Sequence, residues 1–252
     1  MKRRTLLLQL SILLHTSCAY AGQTFTVTTA ADPIVNSNGT LQGNFSPTDI
    51  SLRSAILLAN TSAAPGGSVN QSIINTITFD SNVFSTPQTI TLGNALPLVF
   101  SSVNIQGPAS GVTLDGQAAN RGLFVCGLPP SASGSTPPPQ LIFVTLNNIA
   151  LQNMKAKGGN GFDGGGGGMG AGGALFIGQN ANVILENITF QDNQAVGGNG
   201  SSGSTGGGGG LGGDGGSGIG GGGGGFGGGG GASENFTISR GGFGRGGGAE
   251  RL

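Results

Sequence analysis

Five side chains of this sequence are candidates for acid, base or nucleophilic chemistry: Asp80, Asp115, Arg121, Asp192 and Cys126. Cleavage of a polysaccharide needs clustered carboxylates, or an arginine beside bound calcium, on one face of the protein. Each acid is isolated in sequence and flanked by turn residues, so we interpret Asp80 and Asp115 as turn caps. Cys126 has no base to activate it and is interpreted as a small buried residue. We therefore expect no catalytic residues; a polysaccharide lyase or hydrolase is the enzymatic alternative.

The N-terminal segment, 1–21, has the pattern of a secretory signal peptide. The basic start "MKRR" precedes the apolar run "LLLQLSILL", and Ala19 and Ala21 form a small-residue cleavage site before Gly22. The apolar run is too short to span a bilayer as a stop-transfer helix. We therefore expect an exported protein whose mature chain begins at Gly22, with lipidation at Cys18 as the alternative.

Removal of this segment changes the chemistry that remains. It takes away the single His, the single Tyr and three basic residues, which leaves seven Lys and Arg against ten Asp and Glu, a formal charge of −3. Without His there is no Ser-His-Asp triad and no histidine-bearing zinc site. The mild acidity argues against nucleic-acid binding, and we expect no cofactor. Cys126 is then the one remaining cysteine, so no intramolecular disulfide is expected.

An internal repeat joins two segments in the second half of the chain. "VTLNNIALQNMKAKGGNG" (144–161) matches "VILENITFQDNQAVGGNG" (183–200) without gaps, with identity at ten of eighteen positions. A weaker third copy, "ENFTISRGG" (234–242), aligns with "ENITFQDNQ" (186–194), and the spacing between these two copies is longer. A repeat of this kind favours stacked coils that share one core over a sandwich. The sequence therefore predicts a β-solenoid.

Alternating apolar residues predict the strands of these coils. In the second copy the alternation slips by one residue at Asn187, and Asn148 is its counterpart in the first. We expect both to occupy one corner in successive coils and to form a hydrogen-bonded ladder. Further strand-like runs precede the repeat, at residues 24–29, 73–79, 88–92, 102–107, 111–116 and 122–125.

One helix is expected, at residues 49–60, capped by Thr48 or Asp49. Its apolar face would carry Leu52, Ile56 and Leu57. The organisation predicted is a cap region, the coils, a glycine-rich stretch and a partial further coil. Their respective ranges are 22–72, 73–196, 197–232 and 233–252.

Most of the 55 glycines follow the repeat copies, in a shorter tract at 158–173 and a longer one at 197–232. Both leave the same corner of successive coils, so we expect loops that are either mobile or paired through backbone in extended, polyproline-II-like strands. "GGNGFDGGG" begins like a calcium-binding repeat, but Gly165 stands where a large apolar residue is required. We therefore expect no metal site.

The order of these segments resembles a known family. "TDISLRSAILLAN", "ITFDSNVF", "QTITL", "VNIQGP" and "GVTLDG", followed by residues 172–193, resemble bacterial exported right-handed parallel β-helix proteins of the autotransporter-passenger and outer-membrane adhesin class. Residues 172–193 are similar to the polymorphic outer membrane protein repeat, whose marks are Gly-Gly-Ala-aliphatic and Phe-x-x-Asn. The matching residues are Gly172, Gly173, Ala174 and Leu175, then Phe190 and Asn193.

The resemblance implies an all-β, right-handed parallel β-helix in which these motif residues are structural. It also implies a protein at the cell surface or outer membrane, or secreted, that acts by adhesion or display towards host-cell or extracellular receptors. The exposed strand edges at the open end of a solenoid would also allow self-association. Ile50 and Ser54 depart from the family, where Cys and Glu are frequent. No C-terminal translocator domain follows, so we expect a fragment of a longer protein or another export route. A glycine-rich structural or matrix protein is the further alternative.

Overall fold

The structure is a computed structural model that describes residues 22–32, 49–61, 73–127, 141–203, 208–210 and 214. The predicted signal peptide, Cys18 and the third repeat copy lie outside the described residues. In the described part of the chain, no helix is both long and apolar enough to cross a membrane.

The described residues form a mostly β protein with one helix. In chain order, the elements are β1 (Thr24–Val27), α1 (Leu52–Thr61), β2 (Asn75–Phe79), β3 (Gln88–Thr91), β4 (Val103–Gln106), β5 (Val112–Asp115), β6 (Leu123–Val125), β7 (Ile142–Gln152), β8 (Lys155–Lys157), β9 (Leu175–Ile177), β10 (Ala181–Gln191) and β11 (Gln194–Val196). Each predicted strand run contains one of these strands. All eight strand pairs among them are parallel, as the all-β prediction with stacked strands requires.

The largest sheet has the order β1-β2-β4-β7-β5-β3, and β10 also pairs with β7. Strand β7 pairs with β4 through residues 144–147 and with β5 through residues 149–152. Two short pairs, β8 with β11 and β6 with β9, complete the set, and Val99 bridges Val125. Parallel pairing begins at β1, within the region that the sequence assigned to the cap.

The two repeat copies are direct neighbours. Strand β10 lies along β7, with Ala181 beside Ile142 at one end and Gln191 beside Gln152 at the other. The register is the one in which the two copies align in sequence, and it continues unchanged from β8 to β11. The stacking of the two copies, predicted from their identity, is therefore confirmed.

Asn148 and Asn187 lie at one corner, as predicted. Both have left-handed backbone, with φ of 60° and 50°, a conformation that Asn tolerates better than most residues. Leu146 and Ile149 on either side of Asn148 are both buried, which confirms the one-residue slip. The ladder prediction is wrong, because the Asn148 amide donates to the Pro108 carbonyl (3.0 Å) and not to Asn187.

The helix begins at Leu52, later than predicted. Ser51 is the cap, since its Oγ accepts the N–H of Ser54 (3.1 Å), and the Asp49 assignment is wrong. Thr48 lies outside the described residues. The buried apolar face consists of Leu52, Ala55, Ile56 and Ala59, whereas Leu57 is only half-buried.

A buried ion pair, which no sequence pattern predicted, joins the N-terminal part of the chain to the helix. Arg53 and Asp32 have side chains 1% and 2% exposed and form two hydrogen bonds of 2.8 and 2.7 Å. The same guanidinium donates to the carbonyls of Asn94 (2.8 Å) and Ala95 (2.6 Å). Arg53 therefore joins the helix to two distant segments of the chain.

Inward side chains form continuous apolar columns across the strands. One column is Ile77, Ile105 and Leu146, and another is Ile90, Leu114 and Leu151; all six are buried. Similar side chains that stack at the spacing between neighbouring strands bury one another, so no large separate core is needed. The side chains between them along each strand point outward and form the surface described below.

Candidate interaction surface

Asp80 directly follows β2 and caps the turn that comes next. Its Oδ1 accepts the backbone N–H groups of Asn82 (2.8 Å) and Val83 (3.2 Å). This is the turn-cap role that the sequence predicted. The carboxylate is engaged in local structure and belongs to no metal-binding cluster among the described residues.

Asp115 ends β5 and has the same role with two further partners. Its Oδ1 accepts the backbone N–H of Gln117 (2.8 Å) and the Asn153 amide (3.2 Å), and its Oδ2 accepts the Gln152 amide (3.1 Å). The Gln117 bond, opposed by partial desolvation and aided by the two amides, lowers the pKa of Asp115 below its ordinary value. Such a carboxylate stays ionised and suits a structural acceptor better than a general acid.

Arg121 and Asp192 do not join these acids. The Arg121 guanidinium lies 5.5 Å from the centre of the Phe124 ring, which stacks on Phe176 at 4.6 Å, and burial lowers the pKa of Arg121. Asp192 is a left-handed turn residue (φ 51°), as is Asn153 one repeat earlier. Across the described ranges, no group of three or more His, Cys, Asp and Glu is placed to hold a metal ion.

Cys126 is buried, as predicted. Its Sγ donates to the carbonyls of Gly127 (3.3 Å) and Gln179 (3.6 Å). Desolvation raises the pKa of the Cys126 thiol, which disfavours the nucleophilic thiolate.

The Gly-Gly-Ala-Leu motif occupies a point of close strand approach. The carbonyls of Gly173 and Ala174 accept the N–H groups of Gly122 (2.8 Å) and Leu123 (2.9 Å). A Cβ on Gly173 would lie 2.3 Å from the Gln194 carbonyl oxygen, so a side chain there would collide with backbone. Ala174 is buried in the core and Leu175 packs against it. Gly172 adopts a left-handed turn (φ 61°) that L-residues rarely accept.

The Phe-x-x-Asn motif ends β10. Phe190 lies in the inward row of β10 but is half exposed, because β10 is an edge strand among the described strands of its sheet. Asn193 bonds the preceding repeat copy through both of its amide atoms: Oδ1 accepts from the Met154 N–H, and Nδ2 donates to the Leu151 carbonyl. The motif asparagine therefore ties the two repeat copies together.

The described glycine-rich segments pack against one another through backbone. We call residues 158–170, 197–201 and 208–210 the glycine layer. Its hydrogen bonds include Gly198 N–H to Gly168 O (2.8 Å), Gly168 N–H to Gly159 O (2.7 Å) and Gly159 N–H to Gly210 O (2.7 Å). Of the two arrangements expected for these tracts, backbone pairing is the one found in the described part.

Glycine is required in this layer because neighbouring chains approach too closely for a side chain. A Cβ on Gly168 would lie 2.4 Å from the Gly210 oxygen, and a Cβ on Gly198 would lie 1.8 Å from the Gly159 oxygen. The repeat continues into the layer, since Asn199 N–H donates to Oδ1 of Asn160, its counterpart in the preceding copy (3.0 Å). Asp214 Oδ1 accepts the Asn160 N–H.

A second surface is the outward side of β1, β2, β4, β7 and β10, here called the lateral face. Its residues stand in two rows across the strands. The first row, Thr24, Thr76, Asn104, Thr145 and Ile184, is in register throughout; the second consists of the in-register pair Thr26 and Thr78 and the in-register set Gln106, Asn147 and Glu186. The two rows contain one ionisable residue. Neighbours within a row bond each other, as Thr26 does with Thr78 (3.2 Å) and Asn147 with Glu186 (2.7 Å).

Two large apolar side chains are exposed on this face. Phe143 is 43% exposed at the start of β7, and Ile184 is 53% exposed on the neighbouring β10. Neither residue was predicted from the sequence. The one signal that could have found them is that both stand at positions that alternate with inward residues. A face with a single ionisable residue and two apolar anchors is suited to contact with a neutral partner.

Comparison of the chain with protein-family models, curated proteins and solved structures found no match.

Proposed function

We propose that the strands close into a right-handed parallel β-helix. Two observations support this: β4 and β5 both pair with the single long strand β7, and one register is kept from the β7–β10 pair to the β8–β11 pair. A chain that returns to the same place after each repeat stacks coil on coil. The lateral face and the glycine layer then belong to different sides of one coil stack.

We propose that this is an exported surface protein that works by adhesion or display, similar to autotransporter passengers and to polymorphic outer membrane proteins. The signal-peptide pattern and the motif at residues 172–193 support export and the family. The lateral face, with Phe143 and Ile184 exposed among neutral polar residues, is the observation that carries the adhesive role. Its partner is an uncharged region of a host-cell or extracellular receptor, because charged partners find almost no counter-charge there.

The protein is proposed to have no catalytic activity. The carboxylates of Asp80 and Asp115 are engaged by turn N–H groups, and burial disfavours the Cys126 thiolate. A polysaccharide lyase would release unsaturated sugars from a pectin-like polymer, which ultraviolet absorbance detects. Clear turnover would overturn this part of the proposal.

Adhesion is tested with fluorescent beads coated with the chain from Gly22 onward and applied to cultured epithelial cells. Replacing Phe143 and Ile184 together by Ser removes both apolar anchors, and attachment is expected to fall about tenfold, as for loss of binding hot spots. Ile177→Ser is the matched control, because Ile177 is also about half exposed (48%) but lies on β9, in another sheet. Circular dichroism checks that each variant keeps its strands. Undiminished attachment of the double variant would contradict the proposal.

A glycine-rich structural or matrix role is the second candidate, and the backbone packing of the glycine layer favours it. In that role the glycine tracts carry the function and the strands anchor them. Deletion of residues 201–231 separates the two: unchanged bead attachment leaves the strands as the binder, whereas lost attachment favours the glycine tracts.

A further inference from the structure

The last described strand of the main sheet carries an uncovered apolar row. In the column Ile77, Ile105 and Leu146, exposure stays at 0–1%, but it rises to 41% at Leu185, the next residue in register. In the second column, Leu151 is fully buried and the next residue, Phe190, is 49% exposed. These side chains form the inward row of β10, and on one side they have no neighbouring strand among the described residues.

The backbone of β10 is open on the same side. One edge pairs with β7 along its length, and no strand among the described residues pairs with the other edge. An open parallel edge beside half-exposed apolar side chains is a template for one further strand. A segment that pairs with this edge must be extended and must place apolar residues at alternate positions. It must also accommodate the left-handed backbone at Asn187.

The third repeat copy has a sequence that suits these requirements. "ENFTIS" (234–239) aligns with "ENITFQ" (186–191), so Asn235 corresponds to Asn187 in the alignment. The inward positions of Ile188 and Phe190 are matched by Phe236 and Ile238. The chain from Gln191 leads through the longer glycine tract, as the shorter tract follows β7 in the earlier copy.

We propose that residues 234–239 bind as a parallel strand along the open edge of β10, in the register Asn235 beside Asn187, and cover Ile188 and Phe190. This register also brings Glu234 beside Glu186, an exposed like-charge pair that salt screens. The occupant is the chain's own C-terminal segment; a second copy of the protein is the competing occupant. This placement depends on the β7–β10 pairing and not on adhesion, so either idea can fail without the other.

Paired cysteines test the register. Thr189 and Thr237 are outward neighbours in it, and adjacent parallel strands place their Cα atoms about 4.8 Å apart, within disulfide range. The variant Thr189→Cys with Thr237→Cys is expected to form an intramolecular disulfide under mild oxidation, detected by peptide mass mapping. Thr189→Cys with Ser239→Cys is the matched control: it uses the same face one alternation further on, at roughly 8 Å, and should not close. All variants keep Cys126, which is buried.

Preferential closure of the 189–239 pair, or closure of neither pair, would overturn the proposed register. Cross-linked dimers in place of the intramolecular bond would assign the edge to a second copy and also overturn the proposal.

Amide hydrogen exchange tests the docking without any substitution in the chain. The backbone N–H groups of β10 should exchange at least tenfold faster in a chain ending at Ala232 than in the full chain, and equal rates would contradict the docking.

Discussion

The side chain of Asn193 supplies the hydrogen bond that the backbone of Met154 needs. Its Oδ1 accepts the Met154 N–H at 2.9 Å, and its Nδ2 donates to the Leu151 carbonyl at 2.8 Å. Met154 is the residue equivalent to Asn193 in the preceding repeat copy. One amide therefore joins the two repeat copies at a point where regular strand pairing pauses between β7 and β8.

Replacing Asn193 by Ala should lower the free energy of unfolding by about 2–3 kcal/mol, because a buried N–H and a carbonyl each lose their partner. Urea denaturation measures the change. Asn182→Ala is the control, since Asn182 is an exposed outward residue of the same strand. Asn193→Asp, which keeps the acceptor and loses the donor, should fall between them. Equal stability of the Asn193→Ala and Asn182→Ala proteins would show that the bridge contributes nothing.

Breaking the Arg53–Asp32 pair should be strongly destabilising. Arg53→Met leaves the buried Asp32 carboxylate without its charge partner, and the expected loss is about 3–5 kcal/mol. The double variant Arg53→Met with Asp32→Leu removes both charges and should recover part of that loss. A double-mutant cycle in urea measures the coupling. Strictly additive losses would mean that the two residues act independently.

Gly168→Ala should loosen the glycine layer, whereas Gly166→Ala should not. A Cβ on Gly168 meets the Gly210 oxygen at 2.4 Å, but a Cβ on Gly166 has no atom within 4 Å among the described neighbours. Overpacking of this kind costs about 1–3 kcal/mol, while Ala at an open site is neutral or slightly stabilising because it restricts the unfolded chain. Hydrogen exchange at the Gly198 and Gly159 amides reports the difference. Similar rates in both variants would mean that the layer does not need glycine.

Asp115 should make stability fall in acid. Its pKa in the folded protein is lowered, so its contribution is complete above the ordinary carboxyl value of 3.8 and is lost as pH falls through the folded pKa. Asp115→Asn should therefore flatten the urea-midpoint profile below about pH 4. Asp192→Asn is the control, because Asp192 is an exposed carboxylate outside this network. A profile unchanged by Asp115→Asn would contradict the assigned bonds.

The strands and their stacking could be predicted because their signals are local or repeated. Alternating apolar residues and turn residues located every described strand before β7 to within two residues at either end, and the identity between copies predicted the register of β10 on β7. The helix start was misplaced because Asp49 and Ser51 are both acceptable caps by type. Only the backbone geometry, with the Ser54 N–H directed at Ser51 Oγ, selected Ser51.

The candidate surfaces were harder to predict. The ion pair and hydrogen bonds of Arg53 could not be predicted from the sequence. Its partners Asp32, Asn94 and Ala95 lie on other segments, which only folding brings together. Phe143 and Ile184 look like ordinary strand residues, and their exposure depends on which side of the strand the core occupies. The ladder expected from Asn148 failed because its amide donates to the Pro108 carbonyl instead.

By itself, the sequence determined that this protein repeats, that its units are strands with an asparagine corner, and that glycine follows each unit. Those properties depend on side-chain periodicity and on the backbone conformations that Asn and Gly tolerate. Only the tertiary structure decided what the glycine is for in the described layer. A Cβ at Gly168 would lie 2.4 Å from the carbonyl oxygen of Gly210. Only folding brings these two distant glycines together, so the sequence alone could not show that Gly168 must lack a side chain.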